Sequence, residues 1–270
     1  MTLTILVTGA TDGIGLLTAQ RLATLGHHVL LHGRNPAKLA DAERAIRAAA
    51  PEATVETYRA DLSSLPEVDE LAEAISSRHP RLDVIINNAG VLKAARPTTD
   101  GGLDVRFVVN ALAPYRLTER LLPLVPPTGR VVNLSSAAQA PVDVRALAGQ
   151  RQAPDMDAYA QSKLAITMWT RHLAQRLGPD GPAIIAVNPG SFLATKMVKE
   201  GFGMAGNDIG IGADVLVRAA LSDEFAGATG QYFDNDAGRF GSPHPDAMDP
   251  AKVDAVVTRL ASLADQPTAE

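Results

Sequence analysis

The sequence contains no cysteine. Disulfides, thiol nucleophiles and thiolate-bound metals are therefore excluded, and a reducing cytoplasm is the expected compartment. Aromatic residues make up only 4% of the chain, too few for a platform on which single-stranded nucleic acid stacks. Positive charge is also in deficit. A net charge of −5 offers no basic face to a phosphate backbone. No run of about 18 apolar residues is present, and the first residues lack the basic stretch and apolar core of a secretory signal. The six histidines (His27, His28, His32, His79, His172 and His244) fall into no metal-ligand spacing, so no metal site is expected. The remaining class is a soluble, cytoplasmic protein that handles a small molecule, with neither nucleic acid nor membrane as partner.

What the chain does have is alternation. Short runs rich in Val, Ile and Leu are expected as strands at Leu3–Val7, His28–His32, Thr54–Arg59, Leu82–Asn87, Arg130–Ser135, Ala183–Asn188 and Gln231–Phe233. Between them lie helical segments, among them Leu16–Leu25, Pro66–His79, Asp157–Leu177, Ile211–Leu221 and Pro250–Ala264. A further long helix from Asp100 or Gly101 to Val125 is expected to kink at Pro114. No composition shift or linker divides the chain. The pattern predicts one α/β domain over residues 1–270, a Rossmann-type doubly wound parallel sheet of about seven strands in the order 3-2-1-4-5-6-7, with ligands at the C-terminal strand ends.

The first such end is the most distinctive. The strand Leu3–Val7 runs into Gly9, Thr11, Asp12, Gly13, Ile14 and Gly15 and then into a helix. A strand that turns through glycines into a helix aims backbone N–H groups and the positive helix end at one point, which suits a phosphate. Three glycines also suit an ordinary tight loop. The second strand ends at Gly33-Arg34-Asn35, where an NAD-binding protein usually carries an acid for the ribose 2′-hydroxyl. Arg34 suits a 2′-phosphate instead, so NADP(H) is the expected cofactor and NAD(H) the alternative. As a bare surface residue Arg34 would mean nothing.

Tyr159 and Lys163 are four residues apart and share one helix face. An ammonium beside a phenol favours the phenolate, which brings a tyrosine toward the range of a proton donor. The pair alone is common on helices. Its context is Val131-Val132-Asn133-Leu134-Ser135-Ser136 and the segment Val109-Asn110-Ala111-Leu112-Ala113. With the turn Thr8-Gly9-x-x-x-Gly13-Ile14-Gly15 and the run Asn87-Asn88-Ala89-Gly90, this set resembles the short-chain dehydrogenase/reductase family over nearly the whole chain, to about Asp234.

The resemblance implies the following roles. Tyr159 gives or takes the proton at the substrate oxygen. Ser136, the second of the serine pair, hydrogen-bonds that oxygen, and Ser135 is structural. Lys163 binds the nicotinamide ribose and lowers the Tyr159 pKa, and Asn110 holds a water in a proton relay. Asp61 and Leu62 flank the adenine, Asn88, Ala89 and Gly90 wall the cofactor, and Pro189 and Gly190 lie beside the nicotinamide. Thr195 stands at the outer limit of the family's spacing after Gly190, and Ala113 replaces a common glycine. The resemblance further implies a homodimer or homotetramer built on the helices that carry Asn110 and Tyr159.

Ser136 and Tyr159 are 23 residues apart, against about a dozen in many members of the family. The extra segment, Gln139–Met156, resembles the retinol-dehydrogenase-like branch. Residues 137–157 and 191–212 are expected to form the substrate mouth, with Lys196–Gly212 as a mobile lid or a disordered loop. The leading function is interconversion of a carbonyl compound and an alcohol. The rivals are a cofactor-sensing protein without chemistry and a sugar-nucleotide epimerase, for whose substrate domain the residues after Gly190 leave little room.

Overall fold

The sheet is assembled by strands that are apolar on both sides. In this computed structural model, which describes residues 1–203 and 205–266, β1 (Thr4–Val7) leads into α1 (Gly13–Thr24). The chain then alternates through β2 (His28–Gly33), α2 (Pro36–Ala49), β3 (Val55–Arg59), α3 (Leu65–Ser76) and β4 (Val84–Asn87). The next helical region is broken into α4 (Val105–Phe107), a π turn (Val108–Leu112) and α5 (Ala113–Leu121). It is followed by β5 (Arg130–Leu134), α6 (Val144–Leu147), α7 (Asp155–Leu177), β6 (Ala183–Asn188), α8 (Lys196–Phe202) and α9 (Ile209–Leu221). β7 (Tyr232–Asp234), β8 (Arg239–Gly241) and α10 (Pro250–Ala264) complete the described elements.

The strand order is β3-β2-β1-β4-β5-β6-β7-β8, with parallel pairing through β7. Leu6, Ile85, Val131 and Ile184 face one side, where α3, α5, α7 and α10 cover them. Ile5, Val7, Val84, Ile86, Val132, Ile185 and Val187 face the other, under α1 and α9. Burial on both faces explains why these strands read as apolar runs and not as alternating ones. The order reverses between β1 and β4, and a crevice opens there at the C-terminal ends of the strands.

Several features were not expected from the sequence. An eighth strand is added antiparallel to β7, returning through a turn that contains Gly238, and its Phe240 packs on Phe225 and Phe233 at ring distances of 5.1 and 5.0 Å. The long helix starts at Val105, and a π turn at Val108–Leu112 interrupts its α ladder directly before Pro114, whose missing N–H leaves the Asn110 carbonyl without its i→i+4 donor. Over the described residues, the stretch 196–212 carries α8 and the start of α9. Thr195 caps α8 by accepting from Val198 N, and Leu193 bridges to Asn207. Met204, within that stretch, and residues 267–270 of the polar tail lie outside the described residues. Finally, α10 packs on α5 and α7 within the chain.

No helix among the described residues is long and apolar enough to cross a membrane.

Candidate active site

At the crevice lies a cavity of about 560 Å³. Its walls include Gly9, Thr11, Asp12, Gly13, Ile14, Gly15, Arg34, Asn35, Asp61, Leu62, Asn88, Ala89, Gly90, Ser136, Tyr159, Lys163, Pro189 and Gly190. Of the four expected catalytic residues, Asn110 alone stands behind the wall.

The glycine turn is held against β4 with no room for side chains. A Cβ on Gly9 would lie 2.9 Å from Cα of Ala89, and one on Gly15 would lie 2.4 Å from the carbonyl oxygen of Gly9. Asn88 makes this packing stick by donating from Nδ2 to the carbonyls of Thr8 (2.8 Å) and Gly9 (3.2 Å). Asp12 caps α1 by accepting from Gly13 N at 2.8 Å. Its charge sits 3.6 Å from Lys38 Nζ, which offsets the repulsion it would otherwise exert on an anion. Lys38 joins Arg34 and Asn35 in the same wall.

His32 has a role that no spacing along the chain indicates. It is buried, and its Nδ1 accepts from Gly9 N at 3.2 Å while Nε2–H points to the carbonyl of Ala60 at 3.0 Å. Both nitrogens are committed to the backbone, which fixes the neutral tautomer, and burial pushes its pKa down to about 4. The ring thus ties the glycine turn to the end of β3. Only the parallel pairing of β2 between β1 and β3 creates this position, and nothing in the local sequence signals it.

The hydroxyl side of the cavity is set by β5 and α7. Ser135 turns into the protein, donating to the carbonyl of Lys163 at 3.1 Å and meeting Thr167 Oγ1 at 2.7 Å. Ser136 faces the cavity, with its carbonyl accepting from Tyr232 Oη at 3.1 Å. Burial pushes the Tyr159 phenol up, and a hydrogen bond from Ser136 pulls against it. Lys163 is also buried. Its Nζ donates to the carbonyl of Leu134 at 2.7 Å and lies 5.7 Å from the Tyr159 ring centre. Burial holds this ammonium at about 8. Desolvation, and not the charge of Lys163, thus dominates at Tyr159, which stands as a protonated phenol at neutral pH.

Asn110 is a brace. Its amide donates to the carbonyl of Val91 (2.9 Å) and to Ser162 Oγ (2.9 Å), and its oxygen accepts from Val91 N (2.8 Å). Both amide protons are consumed, so the side chain holds the segment after β4 against α7 and does not hold a water with them.

Asp234 and Asp236 fasten the loop after β6. Asn188 Nδ2 donates to both at 2.9 Å, and Ser191 donates to Asp236 from its backbone (2.8 Å) and its hydroxyl (2.6 Å). Thr195 does reach the cavity wall, close to Gly13. The segment 137–157 contributes Ala137, Ala138 and Met156. Its middle folds away as α6, where Ala146 and Leu147 bury themselves in the core and α6 lies against α10, so only the ends of the expected mouth border the cavity.

Comparison with known proteins agrees with this architecture. The family model described as short chain dehydrogenase matches residues 3–206. Retinol dehydrogenase 13 of Mus musculus is 32% identical over 265 residues, covering 91% of this chain and 79% of that protein. A crystal structure of an uncharacterized protein from Mycobacterium paratuberculosis superposes with a TM-score of 0.80 at 28% identity, covering 99% of this chain and 95% of that one. A short chain dehydrogenase from Shigella flexneri, crystallised with NADP, superposes with a TM-score of 0.68 at 28% identity over 87% of this chain and 97% of its own. The chain belongs to the short-chain dehydrogenase/reductase family of oxidoreductases, in its retinol-dehydrogenase-like branch.

Proposed function

We propose that this protein interconverts an apolar ketone or aldehyde and its alcohol, using NADP(H), with Tyr159 as general acid/base. The observation that carries the reading is that one cavity joins the side-chain-free glycine turn, Arg34 and the Ser136–Tyr159–Lys163 group. The cradle at Gly9 and Gly15 fits a pyrophosphate at the N-terminus of α1, and Arg34 with Lys38 fits a ribose 2′-phosphate. When bound, the nicotinamide would supply or accept the hydride.

The chain's own residues do the rest. Ser136 donates to the substrate oxygen and stabilises charge developing there. Tyr159, a protonated phenol, gives its proton to that oxygen in the reducing direction and recovers it in the oxidising one. Lys163 holds the ribose and places a positive charge near the phenol as the proton leaves. Asn110 braces this wall, and a relay through it would use its main-chain carbonyl. Val91, Leu92, Met156, Phe192 and Leu193 give the mouth an apolar lining, which favours an apolar substrate. A cytoplasmic setting fits the absence of cysteine.

The test is Tyr159→Phe, which removes one hydroxyl. NADPH binding measured by calorimetry should be retained while turnover on a ketone panel falls by about 10²–10⁴. Full turnover in the variant would refute the assignment. Tight NADPH binding by the wild type without turnover on any substrate would favour the sensor reading.

A further inference from the structure

At the opposite end of the sheet, three side chains far apart in sequence converge. His28 opens β2, Glu56 lies on β3, and His79 follows α3. Parallel pairing sets Leu30 beside Glu56, so His28 and Glu56 project from the same face. Helix α3 packs on that face and runs back toward the start of the strands, delivering His79 to the same place. One ligand atom from each of the three lies within 4.8 Å of the others.

The geometry points to a site for a divalent transition-metal ion, Zn²⁺ by its chemistry, held by His28, Glu56 and His79. Two imidazoles and a carboxylate form a zinc ligand set that leaves a fourth, open position. Ligand atoms at about 2.0–2.1 Å from a tetrahedral ion stand roughly 3.3 Å apart. Nε2 of His28 is 2.9 Å from Oε1 of Glu56, and Nε2 of His79 is 3.5 Å from Oε2, so small adjustments suffice. The buried Nε2 of His28 faces the Glu56 carboxylate directly, as a metal-bridged pair would.

The surroundings are those of a metal site too. Tyr58 Oη donates to Glu56 Oε2 at 3.0 Å and meets His79 Nε2 at 2.8 Å. On metal binding the His79 proton moves to Nδ1, and Tyr58 remains to orient the carboxylate. The rings of His28 and His79 meet edge to face at 5.4 Å. Arg78, 5.9 Å from the Tyr58 ring, is the nearby charge that opposes a cation. Glu56 is partly exposed, which leaves a path for the ion. The site is about 17 Å along β2 from Gly33, a strand's length from the cavity. It would clamp β2, β3 and the end of α3 and take no part in the chemistry.

The experiment uses the full chain, stripped with a chelator and titrated with ZnCl₂ in a calorimeter. One Zn²⁺ per chain is expected, with melting raised by about 5–10 °C at a hundredfold excess over Kd. His28→Gln and His79→Gln should each weaken binding by at least about a hundredfold, and Tyr58→Phe by about tenfold. Far-UV circular dichroism in chelator verifies that the variants fold. Should either misfold, the visible spectrum of the wild type loaded with Co²⁺ reports directly whether nitrogen and oxygen ligands surround the ion in a four-coordinate site. No uptake at about a hundred micromolar zinc, or uptake that survives both histidine substitutions undiminished, overturns the proposal.

Discussion

Lys163→Met isolates the cost of a buried charge in the candidate site. The side chain is 4% exposed, and its ammonium is held at about 8, against 10.5 for a free lysine, because burial penalises the charged form. Where both folded and unfolded states are protonated, below pH 8, that difference destabilises the fold by about 3 kcal/mol. Methionine fills a similar volume without the charge. It leaves the Leu134 carbonyl without its donor, a loss of about 1 kcal/mol. The net gain at pH 7 is about 2 kcal/mol, which raises the melting temperature by about 4–8 °C in a chain of this size. The sign with pH is definite. Above pH 8 the folded lysine loses its proton while the unfolded one keeps it, so the wild type gains stability with rising pH and the variant does not. About 2 kcal/mol of the gap should therefore close by pH 9.5. Thermal melts of both proteins from pH 6.5 to 9.5, with turnover measured alongside, read the effect. A gap that does not change with pH, or a variant less stable than the wild type at pH 7, would refute the reasoning. Turnover should be lost even as stability rises, since a charge kept in a dry site serves function at the expense of the fold.

Arg34→Ala should erode the advantage of NADPH over NADH by roughly ten- to a hundredfold and leave NADH use nearly unchanged, read from Kd for both cofactors; equal losses would remove Arg34 from the 2′-phosphate. His32, neutral in the fold to about pH 4, makes no pH-dependent contribution above 6.5, but as pH falls from 6.5 toward 4 the unfolded chain alone takes up a proton and stability drops by up to about 3 kcal/mol. His32→Gln should flatten that part of the acid limb in urea titrations, and an unchanged slope would show that the carboxylates account for it. Light scattering coupled to size exclusion should give a monomer, because α10 covers α5 and α7 within the chain; a stable dimer would have to use another face or displace that helix.

The sequence by itself determined the local and periodic features. Apolar runs broken by glycines and helical segments specify the parallel sheet, because strands buried on both faces admit few other residues. The glycine turn is legible because backbone contact at Gly9 and Gly15 tolerates no side chain, and Tyr159 and Lys163 because four residues is one helical turn. Tertiary structure decided what depends on pairing across the sheet. His32 becomes a tether between β1 and β3, Asn110 a brace closed on Val91 and Ser162, and Asp234 and Asp236 clamps on Asn188 and Ser191. Position in the dielectric was likewise hidden. Proximity to Lys163 was readable from spacing and argued for a lowered Tyr159 phenol, whereas burial, which only packing produces, pushes it up. The meeting of His28, Glu56 and His79 has the same origin, since register and a returning helix, and no spacing along the chain, bring those three together.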